Sequence, residues 1–180
     1  MVPKLALLFL FTGFTMVVTA QSTPVSADTI LARAFSKAKK EKKNVFIIFH
    51  ASWCGWCRKM DAAMSDPACK PFFDANYIVE HLTILESKDK RQLENQGAEA
   101  LFKKYAPADS GIPFWLIYDA KGTLIADAKM PDGSNAGCPA TADEVAHLIH
   151  TLKRSSSIGE ETSKAIFERF RRNESVKQGY

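Results

Sequence analysis

The sequence predicts an α/β protein in which a mixed sheet of about four strands carries helices on both faces, with a further helix at the C-terminal end. Two observations lead to this prediction. Segments with helical spacing of apolar residues alternate with short apolar runs rich in β-branched and aromatic residues. A turn sequence, Asp119 to Gly122, then joins the last two of those runs into a hairpin, so the sheet contains antiparallel as well as parallel strands.

The elements follow in order along the chain. Apolar residues recur at helical spacing over residues 26–43, and residues 45–49 form a continuous apolar run that is typical of a strand buried on both faces. A helix-like stretch follows to about residue 65, and Pro67 and Pro71 then interrupt the pattern. The remaining predicted elements are a strand over 77–85, a charged connection over 86–96, a short helix over 98–105, a strand over 114–118 and a returning strand over 123–128.

Two more helices are predicted after the hairpin. Thr141 and Glu144 form a capping box, which starts a helix with one apolar face. The segment from Glu160 to Arg172 has three large apolar residues on one side and charged residues on the other. This pattern indicates a terminal helix that docks on the domain. The alternative is a basic helix on a membrane surface, for which three such residues offer little apolar area.

The net charge is small, and in the mature chain its excess lies at the C-terminal end. The 180 residues hold 24 Lys+Arg and 20 Asp+Glu. Residues 21–152 hold 16 basic and 16 acidic groups, whereas residues 153–180 hold 7 basic and 4 acidic groups. Because a nucleic-acid-binding domain carries a basic field over its body, nucleic acid is not an expected partner.

The first 20 residues are predicted to be a secretory signal peptide. Lys4 precedes an apolar run of 14 residues, Leu5 to Val18, which is shorter than the roughly 20 residues of a membrane span. The predicted division is a signal peptide at 1–20, a domain at 21–153 and a C-terminal helical extension at 154–180. An uncleaved interfacial anchor is the alternative. Export implies a secreted or periplasmic protein in an oxidising compartment, without stable membrane insertion after cleavage.

The residues that carry chemistry are Cys54 and Cys57, which open a helix directly after a buried strand. A helix N-terminus stabilises a thiolate, so we expect a lowered pKa for Cys54 at the exposed first position. Cys54 would attack a disulfide, and Cys57 would resolve the mixed disulfide. A zinc site would need a second pair of ligands, and no second Cys-x-x-Cys exists. A purely structural bridge between the two cysteines would close almost no loop.

The nine residues from Phe49 to Cys57 resemble the active-site strand and turn of the thioredoxin superfamily, and Gly111-Ile112-Pro113 resembles its second active-site element. The resemblance covers residues 26–153 in the expected element order. The Trp-Cys-Gly-Trp-Cys sequence is similar to that of exported bacterial thioredoxin-like proteins. The resemblance implies a thioredoxin-like fold in which Pro113 is cis and lies against the cysteine pair, and Ile112 pairs its backbone with a substrate peptide. A trans proline at an edge strand is the alternative.

The aromatic residues beside the cysteines are the other substrate-binding candidates. Trp53 and Trp56 flank the thiols, and we expect Trp53 to be partly buried and Trp56 to be exposed. Thioredoxins carry a buried acid six residues before the first cysteine, where this chain has Ile48. His50 is a candidate for the role of that acid, with a packing residue as the other interpretation.

Cys69 and Cys138 leave three possibilities open. They form a disulfide with each other, or Cys69 is buried while Cys138 lies inert in its loop, or Cys138 acts beside the active site.

The expected function is an exported thiol–disulfide oxidoreductase that acts on proteins or peptides and exchanges electrons with a redox partner protein that the sequence does not identify. Reductase, oxidase and isomerase directions all remain open. No metal, nucleotide or flavin cofactor is expected, because no Gly-rich phosphate loop or ligand cluster is present. The alternative is a redox-inactive module of the same fold that grips unfolded peptides through Trp53, Trp56 and Phe114.

Overall fold

A computed structural model describes residues 23–174. The predicted signal peptide at 1–20 lies outside the described residues, and the division at 21–153 and 154–180 remains a prediction. The helices and strands are α1 (Ala27–Glu41), β1 (Asn44–His50), α2 (Gly55–Met64), α3 (Lys70–Asn76), β2 (Tyr77–Thr83), a 3₁₀ helix (Lys88–Leu93), α4 (Ala98–Tyr105), β3 (Phe114–Tyr118), β4 (Leu124–Asp127), α5 (Ala142–Ser155) and α6 (Glu160–Arg171). None of the helices within the described range is long and apolar enough to cross a membrane.

The four strands form one mixed sheet in the order β2-β1-β3-β4. β1 pairs with β2 in parallel and with β3 antiparallel, and β3 and β4 form the predicted hairpin. The five central residues of β1 are fully buried, as the continuous apolar run predicts. This confirms the predicted fold class, a thioredoxin-like arrangement of sheet and helices.

Helices cover both faces of the sheet. On one face the ring of Phe46 contacts Phe73 of α3 and Trp115 of β3. On the opposite face Phe49 contacts Phe102 of α4. Successive residues of a strand point to opposite faces, so the even-numbered positions of β1, including His50, lie on the face that carries α3.

The structure differs from the sequence expectations between α2 and α4. The helix α3 is not expected from the sequence, because Pro71 interrupts the pattern. Pro71 lies in the first turn of α3, where its missing N–H costs no hydrogen bond. β2 ends at Thr83, two residues early, because the N–H and the carbonyl of Thr83 both turn to Asn95, at 2.7 and 3.0 Å. The charged connection contains a 3₁₀ helix.

The C-terminal helix α6 docks on the domain. Ile166 and Phe170 are fully buried, whereas Phe167 is half-buried. Arg169 Nε donates to the carboxylate of Asp66 at 2.7 Å and ties α6 to the turn that follows α2. The packing of α6 follows the docked-helix interpretation, since its large apolar residues face the core.

Candidate active site

The cysteine pair lies where β1 leads into the active-site helix α2. Cys54 is the N-cap residue of α2, and its Sγ accepts the backbone N–H of Cys57 at 3.0 Å. The two cysteines are joined in a disulfide, with their Cα atoms 5.3 Å apart. The predicted juxtaposition is therefore present. The N–H of Cys57, in the first turn of α2, points at the sulfur that would carry negative charge in the reduced state.

The predicted exposure of Cys54 was wrong. Only 2% of its surface is exposed, because Ala51 and Cys57 form a small buried cluster with it. The half-buried side chains of Trp56 and Ile112 pack against this cluster. These two side chains therefore border the disulfide.

Pro113 follows a cis peptide bond, which is the isomer that the resemblance implies. The carbonyl oxygen of Ile112 lies 3.6 Å from Cys54 Sγ, so the segment before Pro113 borders the disulfide. Pro113 itself is buried. The structure thus brings together Cys54, Cys57, Ile112 and Trp56 at one end of the sheet.

An asparagine that the sequence analysis did not single out holds this segment. Asn135 Nδ2 donates to the carbonyls of Gly111 at 2.9 Å and Pro113 at 3.0 Å, one on each side of Ile112. Its Oδ1 accepts the N–H of Gly137 at 2.8 Å. The only signal in the sequence is an Asn close before a Gly in a polar loop, which indicates a turn and nothing more.

The burial expected for the two tryptophans was reversed. Trp53 is 55% exposed, and its indole N–H donates to the carbonyl of Leu85 at 2.7 Å. Trp56 is half-buried, with the ammonium of Lys59 4.0 Å from its ring centre. The reversal arises because Trp56 packs on the cysteine cluster, whereas Trp53 points toward the loop after β2.

Ile48, at the position where thioredoxins carry a buried acid, is fully buried. His50 is half-buried, and its Nε2 is 3.1 Å from Thr83 Oγ1. Its ring lies 4.9 Å from the ring of His81, which in turn bonds Asp61 of α2 at 2.8 Å. Burial, followed by the neighbouring His81, lowers the pKa of His50 below its usual value. The contacts of His50 thus bind it to β2 rather than to the cysteines.

A second residue that the sequence analysis missed is Glu86, in the loop that follows β2. Its carboxylate accepts the N–H of Ser52 at 2.6 Å and the Ser52 hydroxyl at 2.8 Å. Ser52 lies two residues before Cys54, so Glu86 holds the active-site turn. A signal was available: β1 and β2 are parallel neighbours, so the residues that follow them meet at one edge of the sheet.

Cys69 and Cys138 are both free and buried, so the disulfide between them is absent. Burial raises the pKa of the Cys69 thiol to about 11 and that of the Cys138 thiol to about 12. Both therefore stay protonated near neutral pH and are poor nucleophiles. The side-chain amide of Asn173 lies 3.4 Å from Cys138 Sγ and covers it from the C-terminal end.

Two further findings concern the alternatives. Phe114 is fully buried against Phe49 and Phe102, so it has no surface with which to bind an unfolded peptide.

Among residues 23–174, no three His, Cys, Asp or Glu side chains are grouped in a way that would hold a metal ion.

Comparisons with known proteins point to one family. A family model described as Thioredoxin-like matches residues 27–120, which is 94 residues and more than half of the 180. No curated protein matches the sequence.

Several solved structures share similarity with the chain. The disulphide isomerase from Xylella fastidiosa Temecula1 is 16% identical, with a TM-score of 0.48 over 88% of this chain and 98% of that chain. DsbH Oxidoreductase is 22% identical, with a TM-score of 0.43 over 79% of this chain and 95% of that chain. A thioredoxin from Thermus thermophilus is 17% identical, with a TM-score of 0.43 over 73% of this chain and 87% of that chain.

Proposed function

Because the chain belongs to the thioredoxin-like family, we propose that it is an exported thiol–disulfide oxidoreductase that acts on proteins or peptides through Cys54 and Cys57. One observation carries the proposal: the two cysteines are joined in a disulfide at the N-terminus of α2, and the Ile112 carbonyl lies 3.6 Å from Cys54 Sγ. When this disulfide is reduced, the N-terminus of α2 lowers the free energy of forming the Cys54 thiolate.

The reaction begins with the reduced pair. The Cys54 thiolate attacks one sulfur of a substrate disulfide, forms a mixed disulfide and releases the other substrate sulfur as a thiolate. Cys57 then loses its proton to water, and its thiolate attacks Cys54 Sγ. This step forms the Cys54–Cys57 disulfide and releases the second substrate thiolate. Two electrons pass to the substrate in total, and a redox partner protein has to supply them again. In the opposite direction the same steps oxidise a substrate dithiol.

The contacts around the pair support these roles. The N–H of Cys57, 3.0 Å from Cys54 Sγ, stabilises the negative charge that Cys54 carries in the reduced state. Ile112 and Pro113 present backbone beside the disulfide, where an extended peptide can pair with the Ile112 backbone. Trp56 forms an apolar wall against the same cluster. The exposed ring of Trp53 adds apolar area for a polypeptide at the rim of the site.

Insulin reduction with dithiothreitol as the electron source tests the proposal. We expect the wild type to accelerate reduction and Cys54→Ser to abolish the acceleration. Cys57→Ser leaves the mixed disulfide unresolved, so the pre-reduced variant mixed with insulin in the absence of dithiothreitol forms a covalent adduct with an insulin chain, which is detected by mass spectrometry. Cys138→Ala is the matched control, because it removes a buried thiol outside the pair, and it retains activity.

Equal rates for the wild type, Cys54→Ser and dithiothreitol alone would contradict the enzyme proposal. Peptide binding that persists in the wild type, Cys54→Ser and Cys57→Ser would then favour the redox-inactive binding module. Export has its own test, since cleavage of the predicted signal peptide gives a mature chain that begins near Gln21. N-terminal sequencing of the protein recovered outside the cytoplasm checks this.

A further inference from the structure

Glu86 is the one residue with a formal charge that is buried between residues 23 and 174, with 6% of its surface exposed. It takes part in none of the ion pairs found in that range. An ionised carboxylate that leaves water without a cationic partner costs free energy, which hydrogen bonds offset only in part. A buried, unpaired acid therefore needs an explanation other than stability.

Both carboxylate oxygens of Glu86 are used by the active-site turn. Oε1 accepts the backbone N–H of Ser52 at 2.6 Å, and Oε2 accepts its hydroxyl at 2.8 Å. The carbonyl of Ser52 accepts from Arg58 Nη1 at 3.0 Å. Ser52 is thus held by an anion on one side and by an exposed cation of α2 on the other. The backbone N–H of Glu86 in turn donates to Glu94 at 2.8 Å, which fixes the loop that carries the carboxylate.

The position of this charge has a consequence for the cysteine pair. Two residues of chain span at most about 7 Å, and the Glu86 carboxylate is bonded to the N–H of Ser52, so its charge lies on the order of 10 Å from Cys54. A negative charge at that range disfavours a second one, the thiolate that Cys54 forms on reduction, whereas the neutral disulfide is unaffected. Ser52 also has its N–H and hydroxyl committed to Glu86, so neither is free to stabilise the thiolate.

We propose that Glu86 is a positioning residue that holds the active-site turn through Ser52, and that its negative charge shifts the Cys54–Cys57 pair toward the disulfide. This inference rests on the proposed function. Removal of the charge stabilises the reduced form. The pair then becomes a stronger oxidant, because a stabilised dithiol is harder to oxidise. Glu86 acts through its hydrogen bonds to Ser52 and through the electric field of its charge.

Glu86→Gln is the sharpest test, because glutamine keeps the shape and can bond both groups of Ser52 while losing the charge. The purified protein is equilibrated with mixtures of reduced and oxidised glutathione, trapped by alkylation, and the reduced fraction is measured by mass spectrometry. At an effective dielectric constant of about 20, we expect the equilibrium constant to move about tenfold toward the dithiol. We also expect Cys54 to be alkylated faster by iodoacetamide below neutral pH, since more of it is thiolate.

Asp89→Asn is the matched control. Asp89 is exposed in the 3₁₀ helix of the same loop, so water and salt screen its charge. This variant loses the same net charge and stays within about twofold of the wild type. An equilibrium for Glu86→Gln that equals that of Asp89→Asn overturns the proposal. Should Glu86→Gln fail to fold, Glu86→Asp retains the charge on a shorter side chain. A value close to the wild type then supports the charge effect, and a tenfold shift overturns it.

The glutathione equilibrium requires no protein substrate, so it separates this proposal from the proposed function. A wild type that fails to reduce insulin while Glu86→Gln still shifts the equilibrium contradicts the function alone. Insulin reduction that depends on Cys54, with no shift in Glu86→Gln, contradicts only the role of Glu86.

Discussion

Asn135→Ala removes the clamp on the segment that borders the disulfide. Three hydrogen bonds are lost: from Nδ2 to Gly111 O at 2.9 Å, from Nδ2 to Pro113 O at 3.0 Å, and from Gly137 N to Oδ1 at 2.8 Å. Each contributes about 0.5–1.5 kcal/mol, and water replaces part of the bond at the exposed Gly111, so about 2 kcal/mol is the expected total. If substrate binding requires this segment to be held in place, that free energy corresponds to at most roughly a 30-fold loss of kcat/KM for a protein substrate.

The assay compares insulin with a small disulfide, such as hydroxyethyl disulfide, that is too short to pair with the Ile112 backbone. We expect Asn135→Ala to raise KM for insulin and to leave the reaction with the small disulfide nearly unchanged, because the cysteines keep their helix. Asn135→Asp separates the contacts: it retains the acceptor for Gly137 N but faces two carbonyls without a donor, so it impairs insulin reduction at least as much.

Ser134→Ala is the control within the same loop, since the Ser134 hydroxyl bonds only to Asp132 among the contacts found for it, at 2.7 Å. It retains the wild-type KM. An equal loss of activity on both disulfides in Asn135→Ala would refute the positioning argument and indicate damage to the cysteine site itself. An unchanged KM for insulin in a folded Asn135→Asp would show that the segment needs no clamp to bind a polypeptide.

Three further predictions concern stability and pH. Phe170→Ala leaves a cavity at a fully buried position of α6, and we expect it to lower the free energy of unfolding by about 3–5 kcal/mol in urea titration. Phe167 is half-buried, so Phe167→Ala should cause a smaller loss. Equal losses would contradict the docking of α6 through Phe170. Burial and a neighbouring imidazole lower the pKa of His50, so the unfolded chain binds the proton at a higher pH than the folded chain, and stability falls as the pH drops below the ordinary histidine pKa. His50→Gln should flatten that acid decline in urea titrations at several pH values, whereas the exposed His150→Gln should not. Thr141→Ala removes the capping box of α5 and should cost about 1 kcal/mol by thermal unfolding, and no change would show that the cap is dispensable.

Local sequence signals were sufficient for most of the elements. The continuous apolar run of β1, the capping box at Thr141 and the turn from Asp119 to Gly122 each depend on residues within a few positions of one another. The helix α3 could not be predicted from such local signals. Pro71 is compatible with a helix only in its first turn, and whether it lies there depends on where the preceding turn ends.

The candidate site divides in the same way. Cys54 and Cys57 are three residues apart at a strand-to-helix junction, so their pairing follows from local geometry. Local geometry does not decide which tryptophan is exposed. Trp56 packs beside Ile112 and the cysteines, whereas Trp53 donates a hydrogen bond to the carbonyl of Leu85, more than 30 residues away.

By itself, the sequence determined the mixed sheet, the helix that begins at the cysteine pair and the family to which the chain is similar. Only the tertiary structure decided that Cys69 and Cys138 are buried and unpaired, that Glu86 holds the turn before Cys54, and that Asn135 clamps the segment around Ile112. The physical reason is range. Periodicity and capping act over one or two turns of chain, whereas the contacts of Glu86 with Ser52 and of Asn135 with Gly111 join residues 34 and 24 positions apart. Such contacts exist only after the strands have paired.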